Sequence, residues 1–380
     1  MAIQLTVSII LTIVAAAGIL ASALGIVGRT AAVAKRRLER GVDPTLVLYR
    51  LSRFVRYMHW IGFIPFVLIS VSLVYYDIHW IRPHAIGFLM GVVIEAGWYA
   101  SLKMMYSIPV YSISQQIRHA QAKRVSMVLW QGFQSFAIAL VYGLWVASIM
   151  AFGTQWQQQH PLLSTVYLMG TFALIFFASS LIMKAILPKT LLKPEQIPTR
   201  WQALANASGL ASVQFYIWNT KRWRIANAMA MGMGMWQNSV FVSDYLFENI
   251  SETEAEAVVA HELGHLKKHH LWWRFVFVEG WFPLVRLLQA GLRSVPIPKG
   301  IITFLVLLLL GIYQGLIYHW VSRHFEYQAD AHAKAVIGSS TGMVNSLEKL
   351  SELNFSLMSI PRFDELWMTH PSTIHRIERL

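Results

Sequence analysis

The residues with the most specific chemistry are His261-Glu262-Leu263-Gly264-His265. Histidines at i and i+4 share one face of a helix, so their imidazoles can converge on one metal ion. Glu262 lies about 100° round the helix from His261, placed to reach a metal-bound water without taking a coordination position. Zinc lowers the pKa of such a water toward about 7, and a nearby carboxylate can accept its proton. The pattern therefore implies one Zn2+, with His261 and His265 as ligands and Glu262 as general base.

A catalytic zinc needs a third protein ligand and an open position. A metzincin pattern requires Gly at 268 and His at 271, where this chain has Lys268 and Leu271. Glu279 is close in sequence but sits in an apolar segment with no partner residue at i+4. Glu326 is the best candidate, because Asp330 follows at i+4 on the same face. Glu326 could bind the metal while Asp330 accepts a hydrogen bond from a ligand histidine's second nitrogen. His269 and His270 read as interfacial or surface residues rather than further ligands. His370 and Arg376, in and after Thr369-His370-Pro371-Ser372, are two groups that could donate to a developing oxyanion.

Local signals place these residues on elements. Ser251 and Glu254 form a capping-box pattern with Ile250 as its staple, opening a helix that runs to about His270. Val213–Trp218 and Asn238–Val242 read as short strands. Between them, Ala226–Gly232 reads as either an extended edge or a loop. Residues 301–337 contain no proline and read as one long helix that leaves an apolar environment in its last third. A helix from Met343 to about Leu353, a loop and a short terminal helix complete the chain.

Composition sets the surroundings. Of 380 residues, 56% are hydrophobic and 13% charged, about half the charge of a soluble domain. Seven apolar runs, at 6–27, 60–76, 85–102, 126–153, 162–183, 275–292 and 301–321, approach the roughly 20 residues that cross a bilayer. Glu95, Glu279 and Arg286 lie within these runs, either paired structurally or lining an internal wet space. Basic residues crowd the first loop (Arg29 to Arg56), the third loop, the polar interval near 184–274 and the tail. This puts the N-terminus outside and the polar parts in the cytoplasm. Two spans separate His265 from Glu326, so both face the same side. The net charge of +13 reflects these juxtamembrane positives, which touch anionic lipid, and not a nucleic-acid-reading element. With zero cysteines there is no thiol nucleophile and no Cys-ligated metal.

Taken together, Ala226-Asn227-Ala228, the run Glu256–His265, Phe325–Asp330, and Thr369-His370-Pro371 with Arg376 resemble the membrane zinc metallopeptidases that include HtpX and the type I CAAX prenyl protease. The resemblance covers about Leu204 to the C-terminus. It implies a gluzincin site: His261, His265 and Glu326 on zinc, Glu262 as base, and Asp330 behind the ligands. It makes His370 a transition-state stabiliser with Arg376 nearby. It also implies that Asn227, Ala228, Met229, Ala230 and Met231 form an edge strand pairing with the substrate backbone. Five spans before the domain and two after look more like the CAAX branch, which encloses a water-filled chamber.

The expected fold is thus a predominantly α, multi-pass bundle of about seven spans with a cytoplasmic gluzincin-type domain carrying a small β-sheet. Residues 1–187 form a five-span region, 188–272 the catalytic domain, 273–322 a two-span hairpin, and 323–380 the remainder of the catalytic domain. The expected activity is zinc-dependent endopeptidase action on membrane-associated proteins or peptides, with prenylated C-termini as the alternative substrate. A transporter and an inactive protease-like scaffold are the readings from other classes. The sequence fixes no oligomeric state.

Overall fold

The computed structural model describes residues 24–57, 110–121, 159–232, 238–292 and 299–380, with scattered positions between 97 and 156 and at 295. The apolar runs at 6–27, 60–76, 85–102 and 126–153, and Glu95, fall wholly or largely outside these residues. The chain divides into two units, Met1–Gln158 and Gln159–Leu380. In the first, helices at 24–39 and 44–57 meet at a turn where Gly41 takes φ 76°. Asp43 accepts from the Thr45 backbone N–H at 2.8 Å and caps the second of them.

The second unit is mostly helical with one small mixed sheet. It opens with α1, Pro161–Ile186, which starts on a helix-compatible proline and runs 26 residues. Among the described residues α1 is the one helix long and apolar enough to cross a membrane, and none of its most apolar stretch is buried. Lys184, near its end, donates to Ser239 Oγ (2.7 Å) and Gln214 Oε1 (3.3 Å), tying α1 to the sheet. After β1 (Lys189–Leu191) and α2 (Thr199–Ala207) come β2 (Gln214–Trp218), β3 (Ala228–Met231) and β4 (Ser239–Ser243). The order across the sheet is β1-β2-β4-β3, with β2 and β4 parallel and both outer pairs antiparallel. Every residue of β4 is buried, as its central place requires, while β3 lies at one edge. β2 and β4 fall within one residue of the expected strands. β1 and the parallel pairing were not among the expectations.

The capping box forms as expected: the Ser251 side chain accepts from the Glu254 N–H, and Glu254 accepts from the Ser251 N–H. It opens α3, Glu252–Lys267. Contrary to the expected run to His270, α3 stops at Lys267. His269 adopts φ 55°, and a new helix, α4, covers His270–Glu279. A left-handed residue cannot continue a right-handed helix, so the chain turns there. The 275–292 run is also not one helix: α4 ends at Gly280, and α5 covers Trp281–Leu292.

From Lys299 the helical path is unbroken to Ile337: α6 (Lys299–Ile312), a π turn (Tyr313–Ile317) and α7 (Tyr318–Ile337). The π turn is gripped from two sides. Tyr313 stacks on Phe277 (centroids 4.3 Å apart) and donates to the Phe277 carbonyl at 2.6 Å, while Gly315 lies against the Trp367 ring. Gly338, at φ 81°, ends α7 as a left-handed cap. The helix α8 (Thr341–Asn354) and the short α9 (Thr373–Ile377) follow.

The core joins sheet and helices through Trp201, Phe215, Val240, Val242, Leu246 and Leu263. At about 25 cal/mol per Å² of apolar area, side chains of this size each contribute roughly 1.5–3 kcal/mol when fully buried. α3 and α7 touch at Gly264: a Cβ there would stand 3.1 Å from Ala329 Cα and from His332 Cβ. Glycine lets the two backbones approach closely enough for their side chains to share one site.

Candidate metal centre

His261 and His265 lie one turn apart on α3, and Glu326 projects from the facing turn of α7. The Nε2 atoms of the two histidines are 3.2 Å apart. Glu326 Oε2 lies 3.6 Å from His261 Nε2, and Oε1 lies 3.5 Å from His265 Nε2. The donor atoms of all three residues fall within 4.8 Å of one another. His261 and Glu326 are buried and His265 nearly so.

The groups behind these donors are also fixed. Asp330 Oδ1 lies 2.8 Å from His261 Nδ1. Arg376 grips the same carboxylate in a fork, Nη2 to Oδ1 at 2.6 Å and Nε to Oδ2 at 2.9 Å. Behind the other ligand, His265 Nδ1 lies 2.8 Å from His270 Nδ1, and His270 Nε2 lies 2.9 Å from Gln328 Oε1. His270 is therefore no surface residue: it is 2% exposed and stacks on Phe325 with centroids 4.4 Å apart. His269 is exposed, as expected. Sequence reasoning missed His270 because its burial follows from the turn at Lys268-His269, for which the residues give no local signal.

The electrostatics favour a cation here. Burial opposes charge on His261, but hydrogen bonds to Asp330 and Glu326 outweigh it and raise its pKa to about 9. Burial would raise Glu326, yet its hydrogen bond with His261 holds it well below the usual carboxylate range. Asp330 is likewise lowered, by Arg376 and His261 acting against burial. Two ring nitrogens and a carboxylate, hard and borderline donors with both outer ring nitrogens already engaged, fit a divalent zinc.

Glu262 points to the neighbouring space. Burial pushes its pKa up to about 7; His261 acts against this, as does the backbone N–H of Ala230. A cleft of about 350 Å³ opens beside it. Asn227, Ala228, Met229 and Ala230 form one wall; Arg274, Glu326, His370 and Arg376 lie among the others. Met231, expected with the strand, pairs with Ser239 and does not line the cleft. Asn227 accepts from the Ser243 N–H at 2.9 Å. In an antiparallel ladder backbone direction alternates, so Ala228 and Ala230 turn their backbone groups away from β4: the Ala228 N–H donates to Asn227 Oδ1 at 3.0 Å, the Ala230 N–H meets Glu262, and their C=O groups face the open edge.

His370 reaches the cleft from the loop before α9, with Nε2 3.5 Å from Glu326 Oε1 and a side chain 62% exposed. Arg323 holds that loop by donating to the carbonyls of Glu365, Leu366 and Met368. Arg376 is brought near Glu326 (3.8 Å), but its fork is committed to Asp330. Arg274 also reaches Glu326, at 3.7 Å. Neither Arg274 nor Arg323 stood out in the sequence, since each acts through distant partners.

The model of Peptidase family M48 matches residues 192–380. Protease HtpX of Haemophilus influenzae is 24% identical over 240 residues, covering 56% of this chain and 83% of that protein. Protease HtpX of Haemophilus ducreyi is 25% identical over 241 residues, covering 56% and 82%. The crystal structure of S. mikatae Ste24p shares the fold, with a TM-score of 0.58 at 18% identity, over 95% of this chain and 97% of that one.

Proposed function

With residues 192–380 matching the model of Peptidase family M48, we propose that the chain is a zinc-dependent membrane endopeptidase. The observation that carries this is the convergence of His261, His265 and Glu326 beside Glu262, at the floor of a cleft walled by an edge strand. In this reading residues 1–187 and 273–322 supply seven spans, and 188–272 with 323–380 form a cytoplasmic catalytic domain.

His261, His265 and Glu326 would hold the metal. When bound, zinc polarises a carbonyl and lowers the pKa of water toward about 7. The outward C=O groups of Ala228 and Ala230 hold the peptide extended, as an added strand. Glu262 accepts a proton from the attacking water and passes it to the departing amine, which splits the peptide bond into a carboxylate and an amine. His370, exposed at the mouth, donates to the oxygen that gains charge. Arg376, through Asp330, holds His261 in the tautomer that leaves Nε2 free. The substrate class we favour is membrane-associated proteins in general, and prenylated C-terminal peptides are the alternative.

The test compares detergent-purified wild type with Glu262→Gln on a quenched fluorescent peptide, with zinc content measured in both. The proposal expects cleavage by wild type and bound zinc but no turnover in Glu262→Gln. Wild type holding no zinc would overturn it. Turnover of prenylated peptides alone would select the alternative substrate.

A further inference from the structure

We infer that His270 is a positioning residue for the metal: it accepts a hydrogen bond from His265 and so fixes the tautomer in which that ligand binds. This rests on the reading of His265 as a zinc ligand.

A neutral imidazole carries one N–H and one lone pair. His265 can bind a metal through Nε2 only if Nε2 is unprotonated, which puts its hydrogen on Nδ1. That N–H points at His270 Nδ1, 2.8 Å away. Nδ1 of His270 must then be the acceptor, so its own hydrogen sits on Nε2. The partner there is Gln328 Oε1, an acceptor, at 2.9 Å. Each link determines the next: the amide oxygen sets His270, His270 sets His265, and His265 presents its lone pair to the site. The reverse tautomers would put an N–H in the ligand position.

The two ligand histidines are thus supported differently. His261 has a carboxylate, Asp330, which is also held by Arg376. His265 has a neutral ring, clamped by stacking on Phe325 and 2% exposed. The neutral partner holds the ligand in orientation without placing a second negative charge beside Glu326. The left-handed His269 makes this possible: it breaks the path between α3 and α4, so that α4 starts at His270 with its ring against His265.

Two substitutions separate this role from plain packing. His270→Phe keeps the ring that stacks on Phe325 but has no acceptor. His270→Asn loses the ring but places Oδ1, bonded to Cγ, where Nδ1 was. The experiment measures zinc affinity of full-length protein in detergent by chelator competition, together with the visible absorption of the cobalt-substituted forms. The relay expects His270→Phe to bind zinc about 10–100-fold more weakly, with altered cobalt bands, and His270→Asn to stay near wild type in both. Equal affinity of His270→Phe and wild type, or equal loss in both variants, overturns it. Should His270→Phe fail to fold, 15N-histidine NMR of the zinc-loaded wild type decides: the relay requires an unprotonated Nδ1 and a protonated Nε2 on His270, and the opposite tautomer refutes it. A wild type that binds no zinc would instead bring down the proposed function itself.

Discussion

Gly264→Ala adds one methyl group at the point where α3 meets α7. The new Cβ would lie 3.1 Å from Ala329 Cα, 3.1 Å from His332 Cβ and 3.2 Å from the Ala329 carbonyl oxygen. Carbon pairs settle at about 3.5–4.0 Å, so α7 must retreat by roughly 0.4 Å or more. Alanine gains about 1 kcal/mol over glycine in helix propensity, and overpacking costs about 1–3 kcal/mol. The net loss of stability is therefore small, about 0–2 kcal/mol by these two terms. The metal centre suffers more. Ala329 lies between Glu326 and Asp330, so the retreat carries both carboxylates away from α3. The 2.8 Å link from Asp330 to His261 stretches toward the outer limit of a hydrogen bond, about 3.2 Å. We expect zinc affinity to fall about tenfold or more while the thermal midpoint of the metal-free protein moves little. Chelator competition and thermal unfolding measure the two effects, with Gly170→Ala on α1, where a Cβ meets nothing within 4 Å, as the control. A Gly264→Ala protein that binds zinc as tightly as wild type and gains stability would refute the close-contact argument.

Asp330→Ala leaves the buried Arg376 and His261 without their shared carboxylate, and breaking a buried pair of this kind costs about 3–5 kcal/mol; denaturant titration of the metal-free protein should register the loss. Ala230→Pro removes an N–H that faces away from β4 and hydrogen-bonds Glu262, so the ladder survives while the base loses a donor, and kcat/KM for peptides should fall with little change in stability; an unchanged kcat/KM would remove the Ala230 N–H from the site. Zinc must displace the proton from His261, whose pKa in the free site is raised to about 9. His261 is protonated below that value, so apparent zinc affinity should drop by about tenfold per unit as pH falls below 9 and level off above it. A flat profile between pH 6 and 8 would contradict the charge balance described for the site.

What the sequence made legible was what spacing controls. His261, Glu262 and His265 share a turn pattern, Ser251 and Glu254 a cap, Glu326 and Asp330 a helical face, and each pair needs only one helix to be understood. β2 and β4 announced themselves through β-branched and aromatic residues, but their parallel pairing joins segments more than twenty residues apart and has no local signature. His270 read as an interfacial or surface histidine because it merely follows the motif, next to His269 and after Lys267 and Lys268. Only the tertiary turn that brings Gln328 and Phe325 over it shows otherwise. Hydropathy likewise read 275–292 as one segment, since an apolar count does not register the break between α4 and α5 at Gly280. Arg376 was expected near the reacting oxygen; it does reach the site, but its fork is spent on Asp330.

The π turn at Tyr313–Ile317 acts as a phase shifter along the 299–337 helical path. Each residue of an α-helix advances about 100°, and a π turn accommodates one residue beyond the α repeat. Deleting one residue here and closing a regular α-helix would leave the downstream face where it is, whereas a regular α-helix that kept all five residues would rotate everything downstream by about 100° relative to the apolar half. Glu326 and Asp330 would then swing off the face that meets α3, although every residue of the metal centre was still present. The apolar half and the catalytic half are thus geared together by one surplus residue, and the π turn and that residue must be kept or lost together for the site to stay in register.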